Sequence, residues 1–167
     1  EQRTVTVQTA AGEAELAYRK AFAMPGARDR ALARLFDLYK GQDPARALAL
    51  LDRHGTPAMQ AEGKRLKAEL LQEQADQLDK AGKLPQALAQ RQEALRLLPD
   101  DVWLAYRVAA TQARLGDVAG GERLLRGRLA AQPQNDSLRY ATALYLSGQD
   151  QSSQARAVLA EVPAARW

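Results

Sequence analysis

One interval leaves this sequence few folds to choose from. Gly82 and Gly116 stand 34 residues apart, and Pro99 and Pro133 keep the same distance. Between glycine and proline run "KLPQALAQRQEALRLL" in one copy and "DVAGGERLLRGRLAAQ" in the other. Their apolar residues recur every three to four positions, the period of a helix face. Glycine closes a helix at little cost because it accepts positive φ, and proline cannot continue one. A helix hairpin of this length cannot bury its apolar stripe alone, so copies must stack and shield one another.

Setting the glycine at position 15 of each copy starts the copies at Ala68, Val102 and Gln134. Position 8 is then Ala75, Ala109 and Ala141, and position 20 is Ala87, Gly121 and Ser153. All six are small, as close helix approach requires. The turn residues are Gly82, Gly116 and Gly148; Pro99 and Pro133 separate the hairpins. Position 27 reads Ala94, Arg128 and Ala160, so the middle copy departs there. Pro163 arrives two residues early and predicts a shortened last helix.

These positions resemble the tetratricopeptide repeat family, closely from Ala68 to Pro133 and more loosely to Val162. The resemblance implies an all-α fold, an α-α superhelix of antiparallel hairpins. Ahead of it, residues 1–26 read as a lead-in and N-terminal helix, with the alternating Val5 and Val7 suggesting an extended start. "PGARD" ends that helix, and Asp29 can cap the next. Residues 27–53 form a degenerate hairpin: Gly41 at position 15 would put Arg34 at position 8. Asp43 is its second N-cap and Pro44 its first helical residue. Residues 54–63 hold two glycines and a proline without sustained periodicity, and read as a linker or hinge. Repeats at 64–99, 100–133 and 134–167 complete the chain.

Composition removes several function classes. The 167 residues carry 24 basic and 20 acidic side chains, interspersed in sign, which fits a solvated helical surface and not a nucleic-acid patch. Cysteine is absent, so disulfides, zinc-thiolate sites and thiol nucleophiles are excluded. No apolar stretch approaches the roughly 20 residues a membrane helix needs. His54 is the sole histidine and reads as a solvated loop residue without a nucleophile or metal partners. Glu69, Glu73, Asp76 and Asp79 lie on neighbouring turns; paired acids can hydrolyse glycosides, but such a stripe is commonly an exposed face. "AGGE" at Ala119 lacks the Lys-Ser/Thr of a phosphate loop. No catalytic residue, metal or cofactor is expected.

The family resemblance implies a concave groove lined by the first helices. Carried over by repeat position, its acidic stretch is Glu69, Gln72, Glu73, Asp76 and Asp79. Trp103, Tyr106, Arg107, Arg114, Arg139 and Tyr145 follow as an aromatic-and-arginine stretch. Two readings stay open: Trp103 and Tyr106 pack between repeats, or the six form a recognition patch of the kind interfaces favour. The Lys/Asn clamp of chaperone-binding relatives is missing, with Ala31, Leu35 and Gln72 in its place.

A narrower resemblance rests on "GEAELAYRKAF", "ALYLSG" and the closing "P-A-x-x-W". These are similar to the periplasmic repeat region of the bacterial cellulose synthase operon protein C family. That resemblance implies a non-catalytic periplasmic scaffold, part of a larger outer-membrane protein. Its partners would be other protein subunits of a cellulose synthesis and export complex. The glycan chain itself, bound in the groove, is the alternative partner, and an adaptor of an unrelated assembly is the alternative role.

Overall fold

The computed structural model describes the backbone of residues 2–160 and the side chains from Gly12 to Ala160. Val162, Pro163 and the closing Trp167 lie outside the described residues. Within them are nine helices and no strand: α1 (Gln2–Phe22), α2 (Arg28–Gln42), α3 (Pro44–His54), α4 (Pro57–Lys80), α5 (Leu84–Leu97), α6 (Val102–Arg114), α7 (Val118–Ala131), α8 (Asp136–Gly148) and α9 (Ser152–Ala160). The class is all-α, as expected. The chain divides into two compact units, Glu1–Lys67 and Ala68–Trp167.

In the first unit α2 packs against both α1 and α3. Leu32, Leu35, Phe36, Tyr39, Ala47 and Leu51 form its buried face. Asp43 caps α3 by accepting a hydrogen bond from the Arg46 amide at 3.1 Å, with Pro44 opening the helix. Two expectations need correction here. The segment from Gln2 is helical, so the Val5/Val7 alternation does not make an extended lead-in. Ala27, not Asp29, precedes α2. Within 54–63 only Gly55 and Thr56 separate α3 from α4, and the division between the units falls after Lys67.

In the second unit each helix from α5 to α9 packs on the next, and α6 also touches α8. That contact between first helices of successive hairpins is what stacking demands. The turns repeat in detail. Gly82 and Gly116 have φ of +73° and +92°. The amides of Lys83 and Asp117 reach back five residues, to the carbonyls of Leu78 (2.8 Å) and Gln112 (2.9 Å). This is the Schellman closure of a helix. The third turn uses Gln151 to Leu146 at 2.9 Å, with Asp150 at φ +59°.

The third copy therefore sits two residues later than its glycine suggested. Asp150, not Gly148, holds the left-handed turn, and it follows Gly116 by the same 34 residues. Gly148 is still helical. In the corrected register the small positions are Ala75, Ala109 and Ala143, then Ala87, Gly121 and Ala155. All six are buried, whereas Ser153 and Ala160 are exposed. Ala94 is buried in α5, and Pro99 and Pro133 lie in the connections after α5 and α7. Ala141 is buried too, two residues before Ala143, which fills the role assigned to it.

Gly121 marks the closest approach. A methyl group there would stand 2.7 Å from the Ala109 carbonyl oxygen and collide with the Tyr145 phenol. Tyr145 donates its hydroxyl to the Val118 carbonyl at 2.7 Å, locking α8 to α7. The obstacle is backbone, which cannot swing aside. Gly121→Ala is expected to cost about 1–3 kcal/mol. Gly127→Ala, where the methyl meets nothing within 4 Å, should stabilise by up to about 1 kcal/mol. Urea unfolding of both variants tests the contrast.

Candidate functional site

The acidic turns of α4 and the arginines of α6 do not form two separate stretches; they pair with each other. Arg107 Nη1 lies 3.4 Å from Asp76, and Arg114 makes a two-pronged contact with Asp79 at 2.6 and 2.8 Å. Arg91 of α5 runs between them, almost fully enclosed. It donates to Asp76 at 2.8 Å, Asp79 at 3.2 Å and the Thr111 hydroxyl at 2.6 Å. Thr111 passes its own proton to the Arg107 carbonyl at 2.7 Å. Three guanidinium groups thus share two carboxylates across three helices. Hydrogen bonding from Arg91 holds the Asp76 carboxyl below its ordinary range, and Arg114 does the same to Asp79.

Of the six groove residues expected, four remain at the surface and two do not. Trp103 is 49% exposed, Tyr106 is half-buried, and Arg107 and Arg114 are exposed but ion-paired. Arg139 and Tyr145 are buried in the repeat interior. Arg139 donates to the carbonyls of Val158 and Pro133, tying α8 to α9 and to the preceding connection. Both misplacements follow from the two-residue slip in the third copy. The same slip hid Tyr140, which occupies the place of Tyr106 one repeat on and is 54% exposed. Trp103 meets Tyr106 and Tyr140 edge to face, with centroids 6.0 and 6.3 Å away. Leu144 is also exposed on α8. The result is an aromatic surface beside a ladder in which three arginines share two carboxylates.

The remaining candidates hold no reactive arrangement. Glu69 and Glu73 are exposed on α4. Asp76 and Asp79, held ionised by arginine, are the opposite of the raised, protonated carboxyl that donates a proton in glycoside hydrolysis. His54 is exposed at the end of α3, with its ring edge-on to Phe22 at 4.9 Å. Among the described residues no three metal-ligating side chains gather, and no helix is long and apolar enough to cross a membrane.

No family model matches the chain. Curated proteins do match it. Cellulose synthase operon protein C of Escherichia coli (strain K12) is 33% identical over 135 residues, which is 78% of this chain and 12% of that protein. This chain is similar to one stretch of cellulose synthase operon protein C. The putative protein of the same name from Escherichia coli O157:H7 is 31% identical over 134 residues. That of Pseudomonas fluorescens is 27% identical over 158 residues, or 92% of this chain. The chain spans only about an eighth of the length of these relatives. The narrower resemblance read from the sequence, to cellulose synthase operon protein C, is borne out.

The ladder has a pH signature. The folded carboxyls of Asp76 and Asp79 lie below the ordinary value of 3.8, so their stabilisation is present above that value and is lost as pH falls through the folded values. The urea midpoint should therefore fall between about pH 5 and about pH 2. Arg91→Met, which keeps the stem and removes the donors, should cost about 1–3 kcal/mol at neutral pH. It should also reduce the acid-dependent loss. Urea unfolding as a function of pH checks both.

Proposed function

We propose that this chain is part of a non-catalytic periplasmic scaffold in bacterial cellulose synthesis and export across the outer membrane. In this role it contacts other protein subunits of the assembly. The observation that carries this reading is the aromatic surface of exposed Trp103 and Tyr140 with half-buried Tyr106, on a chain similar to cellulose synthase operon protein C. Stacked hairpins suit the task because each added copy extends reach without a new fold. Aromatic anchors set beside ordered arginines are the groups that dominate protein interfaces. Arg107 and Arg114 are each already ion-paired, to Asp76 and Asp79, so binding would rest on the rings more than on charge.

Direct binding of the glycan chain by the same surface is the second reading, favoured by the exposed indole of Trp103. Ring orientation weighs against it. The planes of Tyr106 and Tyr140 stand at 76° and 74° to Trp103, which makes a ridged surface and not the flat platform that stacked sugars use. A knob from a protein partner fits such a ridge better.

A photo-crosslinking amino acid at Tyr106, placed in the full-length protein in cells, should capture a subunit of the cellulose machinery. Trp103→Ala should lower cellulose output while changing the stability of the purified chain by less than about 0.5 kcal/mol. Unchanged output with no crosslinked subunit would refute the scaffold reading. A cello-oligosaccharide response that Trp103→Ala abolishes would transfer the surface to the glycan reading.

A further inference from the structure

In one trough of the first unit the arginines outnumber the carboxylates that could pair them. Glu15 of α1 meets Arg46 of α3 at 2.7 Å, and further along both helices Phe22 meets the His54 ring at 4.9 Å. The two helices therefore run side by side, and a cavity of about 310 Å³ opens between them. Leu35 and Tyr39 of α2 make its buried floor. Arg19, Arg46, Arg53 and His54 line its walls, all four exposed and open to a ligand. Between them lie exposed Ala49 and the half-buried Phe22 and Leu50. Its lining holds no carboxylate.

We propose that this trough binds an acidic peptide segment of a partner protein, in which two carboxylates flank an apolar residue. Positive charge stands uncompensated at both of its ends. At one end Arg19 and Arg46 share the single carboxylate of Glu15, at 3.0 and 2.7 Å. At the other, Arg53 has no ion pair or hydrogen bond among the described residues. Arg28 adds a cation there, 5.0 Å over the Phe22 ring. Arg46 and Arg53 are two helical turns apart, roughly 10 Å along α3, with Ala49 and Leu50 on the same face between them. That separation selects the ligand. A lone phosphate or carboxylate cannot answer both ends. An extended peptide can, because alternate residues share a face: acid, apolar and acid cover about 13 Å, a difference the long arginine stems absorb. Its central apolar side chain would lie on Phe22 and Leu50. Planar guanidinium forks match carboxylates two bonds at a time, and arginine clusters are a recurring means of reading acidic motifs. The trough shares no residue with the aromatic surface, which belongs to the second unit. Only the choice of a protein as the partner rests on the scaffold reading.

The capped peptide Glu-Ser-Leu-Ser-Glu, titrated into the isotope-labelled 167-residue chain and followed by amide chemical shifts, tests the site. Saturable shifts are expected at Arg19, Phe22, Leu50, Arg53 and His54, and the Gln-Ser-Leu-Ser-Gln peptide should bind about tenfold more weakly or worse. Arg53→Met should weaken binding of the acidic peptide by a similar factor. It should unfold at the same urea concentration as wild type, because Arg53 has no partner within the chain to lose. Arg34→Met removes the same charge from an exposed position of α2 outside the trough and should bind as wild type does. Trp103→Ala should do so too, which separates this site from the aromatic surface. The proposal is overturned by the absence of saturable shifts, by equal binding of the amide peptide, or by equal binding in Arg53→Met. Equal weakening by Arg34→Met would reduce the effect to net charge and overturn it, as would inorganic phosphate giving the same shifts at the same concentration.

Discussion

Between α6 and α7 the backbones come so near that a methyl on Gly121 would sit 2.7 Å from the Ala109 carbonyl oxygen. Everything else in the second unit follows from helices held at that distance. Ala75, Ala109 and Ala143 on the first helices, with Ala87, Gly121 and Ala155 on the second, leave no side-chain thickness between the axes. Larger residues then reach past the contact into the neighbouring hairpin. Leu104, Leu125, Leu146 and Tyr145 are almost wholly enclosed this way, each apolar side chain contributing about 1.5–3 kcal/mol of burial. A chain with few aromatics can be stable on these terms because its core is thin and shared.

The same closeness decides what the surface can offer. Once first helices lie side by side, Asp76 and Asp79 fall within reach of Arg107 and Arg114, and Arg91 is trapped among them. Exposed pairs of this kind add little stability singly, but an enclosed arginine with three acceptors fixes how adjacent hairpins align. Charges that looked available for a partner are thus consumed inside the unit. Trp103 and Tyr140, with half-buried Tyr106 between them in the aromatic cluster, remain at the surface to meet another molecule.

The repeat, its helices and most of its turns were legible because several positions recur together at one interval. The register of the third copy was not, and the reason is physical. A left-handed turn residue is usually glycine, yet aspartate tolerates the conformation, and here Asp150 adopts it while Gly148 stays helical. Anchoring on the glycine moved the frame by two residues. That shift pointed Arg139 and Tyr145 outward, though both are buried, and it hid Tyr140. The short alternation at Val5 and Val7 misled similarly, since two apolar residues in a helix can mimic a strand. At 54–63 the breakers Gly55 and Pro57 mark a real boundary, but proline at a helix start continues into α4 instead of prolonging a loop.

Amide hydrogen exchange across the second unit tests the mutual shielding of hairpins most directly. The account predicts slowest exchange in α6 and α7, which have neighbours on both sides, and faster exchange in α9, which packs on α8 at the edge of the described array. Equal protection in α9 and α6, or faster exchange in α6 and α7 than in α9, would contradict it.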